Sequence, residues 1–187
     1  MIQRHAELVD REKVGLLVVD IQERINQVML QPEAVVANGV KLIRGFKILN
    51  RPIFITEQYP KGLGPTNSEI LQALPEATNI ISKLSFSACG AEGLLPQIEK
   101  HRLSQIVVTG IETHVCIFQT AMDLLANGYQ VYLPVDALSS RKEIDRQIAI
   151  ERATRAGVIC TTTEMILFEM LKEAGTDEFK AISKLVK

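Results

Sequence analysis

Three residues of this chain carry side chains that could act together as a nucleophilic set: Asp20, Lys83 and Cys116. A thiol attacks a carbonyl carbon well once a base has taken its proton. Asp20 is the candidate base, although a carboxylate with pKa about 4 is a poor match for a thiol with pKa about 8.5. Lys83, and the positive end of a helix opening at the thiol, would narrow that gap by stabilising a thiolate and a developing oxyanion. Each residue also has a plainer reading. Asp20 could cap a helix, Lys83 could be a solvated loop lysine, and Cys116 could fill a strand-to-helix corner. The chemical reading is favoured by placement, because all three stand at or just past the C-terminal end of an apolar run.

The elements that would position them follow from the pattern of those runs. Val14 to Val19 (VGLLVV) is continuously apolar, as strands buried on both faces are, and it stops at Asp20. Ala34 to Leu49 has helical spacing, and Pro52 to Thr56 (PIFIT) reads as a second strand. A Gly- and Pro-rich loop and a short helix at Ser68 to Leu74 lead to a third strand, Thr78 to Ser82, which ends at Lys83. A helix at Leu94 to His101 precedes strand four, Gln105 to Val108, and a helix from Val115 to Asn127 carries Cys116 near its start. Gly128 suits a left-handed helix cap. Gln130 to Leu133 and Val158 to Thr161 read as strands five and six, with a helix at Glu143 to Ala156 between them. Helices at Glu164 to Glu173 and Asp177 to Val186 complete the chain. Alternating strands and helices predict a three-layer α/β/α fold, a six-stranded parallel Rossmann-like sheet with helices on both faces. Ligands of open parallel sheets sit at the C-terminal strand ends.

Composition bounds the rest. A chain of 187 residues fits a single domain spanning 1–187. A net charge of −1 and no basic cluster with interleaved aromatics argue against a nucleic-acid partner. Three widely spaced cysteines form neither a disulfide framework nor a metal-binding pattern, which suits a reducing compartment. The start MIQRHAELVDREK has no apolar signal core, and no run approaches a membrane span. The expectation is a cytoplasmic protein with a small-molecule substrate and no membrane partner.

The segments LLVVDIQ, ITEQYP, SKLSFS and VTGIETHVCIFQTAMDLLANGYQVYLPVDALSSR, in this order and spacing, resemble the isochorismatase-like cysteine hydrolases, and most closely the short isochorismatase-domain proteins. The resemblance implies an Asp-Lys-Cys triad on Asp20, Lys83 and Cys116. It also implies a non-proline cis peptide at Ile111–Glu112, and an oxyanion hole from the backbone N–H groups of Glu112 and Cys116. The implied reaction is hydrolysis of a small amide-like C–N substrate through an acyl-enzyme, and Cys116 favours this thiol-dependent branch over the vinyl-ether hydrolases of the family. Nicotinamidases of the family hold a metal through an aspartate and two histidines after the second strand. Here that region reads EQYPKGLGPTNSE, without histidine, so neither metal nor cofactor is expected and nicotinamidase is the alternative. A second alternative is an idle, redox-responsive interaction protein in which Cys89 pairs with Cys116, Cys160 being structural. His114 lies beside the thiol, but the resemblance assigns the base elsewhere. Gln22, Gln58, Tyr59 and Phe86 stand near strand ends and could shape the substrate pocket, and the family's habit of symmetric assembly implies a homo-oligomer.

Overall fold

Val14–Val19 forms β1, buried along its whole length, and its alternate side chains go to opposite faces of the sheet. Leu16 and Val18 join one apolar cluster, Leu17 and Val19 the other. The structure, a computed structural model, describes residues 3–187. After β1 the chain runs through α1 (Glu23–Asn26), α2 (Pro32–Ile48), β2 (Ile53–Gln58), α3 (Pro60–Leu63), α4 (Ser68–Ala73) and β3 (Ile80–Lys83). Next come α5 (Leu94–Lys100), β4 (Gln105–Ile111), α6 (Phe118–Ala126), β5 (Gln130–Pro134) and β6 (Leu138–Ser139). The last elements are α7 (Glu143–Arg155), β7 (Ile159–Thr161), α8 (Thr163–Leu171) and α9 (Asp177–Val186).

The strand order is β3-β2-β1-β4-β5-β7, every pairing is parallel, and β6 adds on beside β4. Among the described residues the sheet therefore has seven strands rather than six. The extra one, Leu138–Ser139, is two residues long, too short to leave a periodic signature. One face is covered by α2, α4, α8 and α9, through Leu42, Ile43, Phe46, Ile70, Leu167 and Ile182. The other is covered by α5, α6 and α7, through Leu94, Ile98, Ala121, Leu124 and Ala153. This is the expected three-layer α/β/α arrangement. No helix among the described residues is long and apolar enough to cross a membrane.

Strands β2 and β4 run on to Gln58 and Ile111, β3 is shifted to Ile80–Lys83, and two of the helix boundaries moved for local reasons. The second helix begins at Pro32 rather than Ala34, because proline at the first helical position lacks only an N–H that would go unpaired there. A π-helical turn, Thr113–Ile117, stands where a plain α-helix was expected, and α6 begins only at Phe118.

The order of strands reverses between β1 and β4: the chain winds outward through β2 and β3, then returns to the other side of β1. Asp20 follows β1 and the Cys116 turn follows β4, so both sit at this switch point. The two strands approach closely through Gly110, paired with Val19 at a φ of 146°, where an added Cβ would lie 2.1 Å from the Val19 carbonyl oxygen. Gly110→Ala therefore meets backbone rather than a yielding side chain. It is expected to lower unfolding stability by about 3 kcal/mol or more in urea titration, and a change within about 0.5 kcal/mol would contradict this packing.

Candidate functional site

Asp20 neither caps a helix nor reaches solvent. It is 3% exposed, and at a φ of 57° it turns the chain sharply after β1. Thr56 Oγ1 donates to its Oδ1 at 2.7 Å. Thr56 is brought there by register, since β2 pairs Thr56 with Val19, the residue before Asp20. Lys83, at the end of β3, is equally buried and places Nζ 2.7 Å from Asp20 Oδ2. Its three protons are directed elsewhere, to Gln58 Oε1 at 2.7 Å, Ser85 O at 3.1 Å and Phe86 O at 3.0 Å. The ammonium thus forms a close ion pair with Oδ2, and Asp20 is also the carboxylate to which the Cys116 thiol hydrogen-bonds.

Cys116 lies in the π-helical turn and is 5% exposed. Ile117 N–H reaches back to Glu112 O at 3.4 Å, the widened spacing that a π turn produces. All peptides among the described residues are trans, so the expected cis bond at Ile111–Glu112 is absent. The chain instead reverses at Glu112 itself, which takes a left-handed conformation (φ 56°, ψ 54°). The electrostatics also correct the sequence reading. Burial pushes the Cys116 thiol up to about 12, the Asp20 carboxylate and a hydrogen bond to it push the same way, as does Glu112, and Lys83 pulls it down. At neutral pH the resting group is a thiol, not a thiolate, because burial outweighs the lysine.

The remaining expected residues divide by role. Gln22 is fully buried and cannot touch a substrate: its amide accepts from Gln58 N–H and donates to Gln58 O and Gly64 O, bracing the loop after β2. Gln58 holds Lys83 and donates to Leu84 O at 2.9 Å. Tyr59 and Phe86 have exposed side chains, 51% and 56%, on the backbone segments that enclose Lys83, with Leu84 beside them. His114 places Nδ1 3.0 Å from Ser140 Oγ and turns Nε2 toward Glu112 and Asp145. Cys89 Sγ lies 3.9 Å from Thr120 O, and its thiol is raised to about 11 by burial and by Asp123 on α6. The charged groups acting on Cys89 and on Cys116 are thus different ones.

Two partners escaped the sequence reading. Thr56 is a polar residue inside an apolar run at the strand end beside Asp20, a signal that was available. Arg141 clamps Glu112 with two hydrogen bonds, Nε to Oε1 at 2.8 Å and Nη2 to Oε2 at 3.2 Å, across a separation that spacing alone does not reveal. The protonated thiol gives a direct test. Alkylation of Cys116 by iodoacetamide, followed by peptide mass spectrometry, should rise about tenfold per pH unit from pH 7 to pH 10 without a plateau. A plateau near pH 7 would mean a preformed thiolate.

Comparisons with known proteins bear on this geometry. A family model described as the isochorismatase domain matches residues 14–165. The chain is 39% identical over 179 residues to isochorismatase family protein 1B of Dictyostelium discoideum, covering 94% of this chain and 87% of that protein. It superposes on the MAR1 ribonuclease of Caenorhabditis elegans with a TM-score of 0.90 at 34% identity, covering 96% of this chain and 92% of that one. The YcaC gene product of Escherichia coli, described as an octameric hydrolase of unknown specificity, shares the fold with a TM-score of 0.84 at 22% identity, covering 92% and 85%. The match spans the strand ends that carry Asp20, Lys83 and Cys116, and the chain belongs to the isochorismatase family of hydrolases.

Proposed function

We propose that this protein is a cysteine hydrolase that cleaves the C–N bond of a small amide-like substrate through an acyl-enzyme on Cys116. The observation that carries the reading is the buried Asp20 carboxylate, held 2.7 Å from Lys83 Nζ and hydrogen-bonded by a thiol that is neutral at rest. A neutral thiol requires that its proton leave as the sulfur attacks, and Asp20 is the acceptor. The new S–C bond places negative charge on the carbonyl oxygen, which the backbone N–H groups of Glu112 and Cys116 receive. Asp20 passes the proton to the leaving nitrogen as the C–N bond breaks, releasing an amine and leaving a thioester. Water then gives a proton to Asp20 and attacks the thioester. The acid leaves, and the proton returns to sulfur. Lys83 holds Asp20 in place throughout.

Other readings have less support. For a nicotinamidase-type amidase, the carboxylate at the end of β2 is Glu57, and its Oε1 is already engaged by Thr66 N–H at 2.6 Å and Thr66 Oγ1 at 2.7 Å. For a redox device built on Cys89 and Cys116, different charged groups act on the two thiols, and Cys89 Sγ is directed to Thr120 O. For phosphodiester cleavage, which the name of the Caenorhabditis elegans relative suggests, the cation acting on the thiol, Lys83, already faces the Asp20 carboxylate. The single-domain, cytoplasmic, homo-oligomeric form remains part of the proposal.

The test is a panel of small amides and carbamoyl compounds assayed in parallel on the wild type and Cys116→Ala. The expected result is hydrolysis of at least one compound by the wild type and its loss, by at least about a hundredfold, in Cys116→Ala. Equal turnover by both proteins would remove the thiol from the mechanism.

A further inference from the structure

Lys83 stands at the edge of the sheet. Among the described residues β3 pairs with β2 alone, and it lies three places from β4, a separation of about 14 Å. Strand pairing therefore holds Lys83 from one side only, whereas Cys116 is placed by β4 and the helical turn after it. The segment after β3 joins the two. Ser85 O and Phe86 O accept from Lys83 Nζ at 3.1 and 3.0 Å. The segment is closed on itself: Ser85 Oγ donates to Ser87 O at 2.9 Å, and Cys89 N–H donates to Ser87 Oγ at 3.2 Å. Gly90 packs against its start, where an added Cβ would lie 2.7 Å from Ser85 Oγ. A single helical turn, Ala88–Gly90, then rests on α6 at one residue, Thr120. Ala88 N–H donates to Thr120 Oγ1 at 2.8 Å, both residues being fully buried, and the Cys89 thiol lies 3.9 Å from Thr120 O. Thr120 follows Cys116 by about one helical turn, and Ile117 and Phe118 between them are in right-handed helical conformation.

We propose that Thr120 is a positioning residue of the site: by seating the segment that holds Lys83 on α6, it fixes the Asp20–Lys83 pair relative to the Cys116 sulfur. The inference rests on the reading of Cys116 as the nucleophile. The contacts form a closed circuit. The Cys116 thiol bonds to Asp20, Asp20 pairs with Lys83, the segment after β3 holds Lys83, and Thr120 fastens that segment to the helix that continues from Cys116. A displacement of about 1 Å among reacting groups can cost about a hundredfold in rate, and an unseated segment would carry two acceptors of Lys83 with it.

p-Nitrophenyl acetate tests this with a generic acyl donor. The sulfur–carbon bond forms, the ester C–O bond breaks, p-nitrophenolate leaves, and the thiol proton passes to Asp20. The rate would be read from nitrophenolate release and from acetylated Cys116 by peptide mass spectrometry, per folded molecule as counted by urea titration. Thr120→Val keeps the shape and removes the acceptor, so Cys116 should acylate about tenfold or more slowly, whereas Thr120→Ser, which keeps the hydroxyl, should stay within about twofold of wild type. Ala88→Pro removes the donor instead, at the first position of its helical turn and after an already extended Ser87, and should repeat the loss. It decides the question if Thr120→Val does not fold. A merely structural hydroxyl would lower the urea midpoint and leave acylation of the folded protein unchanged. Wild-type acylation in either folded variant, or a loss in Thr120→Ser as large as in Thr120→Val, overturns the inference and leaves the nucleophile reading intact. A wild type that gains no acetyl group on Cys116 removes both.

Discussion

The Asp20–Lys83 ion pair, with side chains 4% and 0% exposed, is the interaction on which the rest of the site depends. Withdrawing two charges from water costs several kcal/mol per ion, and attraction alone seldom repays it. Here further hydrogen bonds make up the difference. Thr56 donates to one oxygen of Asp20, and Gln58 with two backbone carbonyls takes the protons of Lys83. Those partners come from β2 and from the segment after β3, so the pair can exist only when β1, β2 and β3 are in register. Fold and site are therefore specified together.

That arrangement explains why the thiol remains neutral. Lys83 is charged and close, yet its protons are held by other acceptors and its field is opposed by Asp20 and Glu112. Burial then decides the matter, and the Cys116 thiol is raised to about 12 rather than lowered. On the proposed mechanism Cys116 is inert between turnovers and reacts only when an electrophile is positioned beside it and Asp20 takes the proton. The π turn, with Glu112 locked by Arg141 in a left-handed conformation, fixes the direction in which the sulfur faces.

Much of this was legible in the sequence, for identifiable reasons. Buried parallel strands appear as unbroken apolar runs, and the residue that ends such a run is placed at a known edge of the sheet. Asp20, Lys83 and the Cys116 turn were located in that way. Gln22, by contrast, shared the strand-end signal but lies fully buried with its amide held by backbone, because sequence position fixes the edge and not the direction of a side chain. The Glu112–Arg141 clamp joins residues whose meeting depends on how β4, β6 and α7 pack. The direction of the thiol's shift depends on how much water is removed, which composition cannot express. The trans bond at Ile111–Glu112 was misjudged because a family habit stood in for a local conformation.

Transfer of the Cys116 proton to Asp20 during attack is the central claim, and the acyl-enzyme tests it most directly. Protein quenched in acid during turnover of an amide from the panel would be analysed by intact-mass and peptide mass spectrometry. Wild type should carry the acyl group of the substrate on Cys116, and Asp20→Asn, which retains the shape but cannot accept the proton, should carry none. Turnover without a Cys116 adduct, or an adduct formed equally fast in Asp20→Asn, would contradict the account.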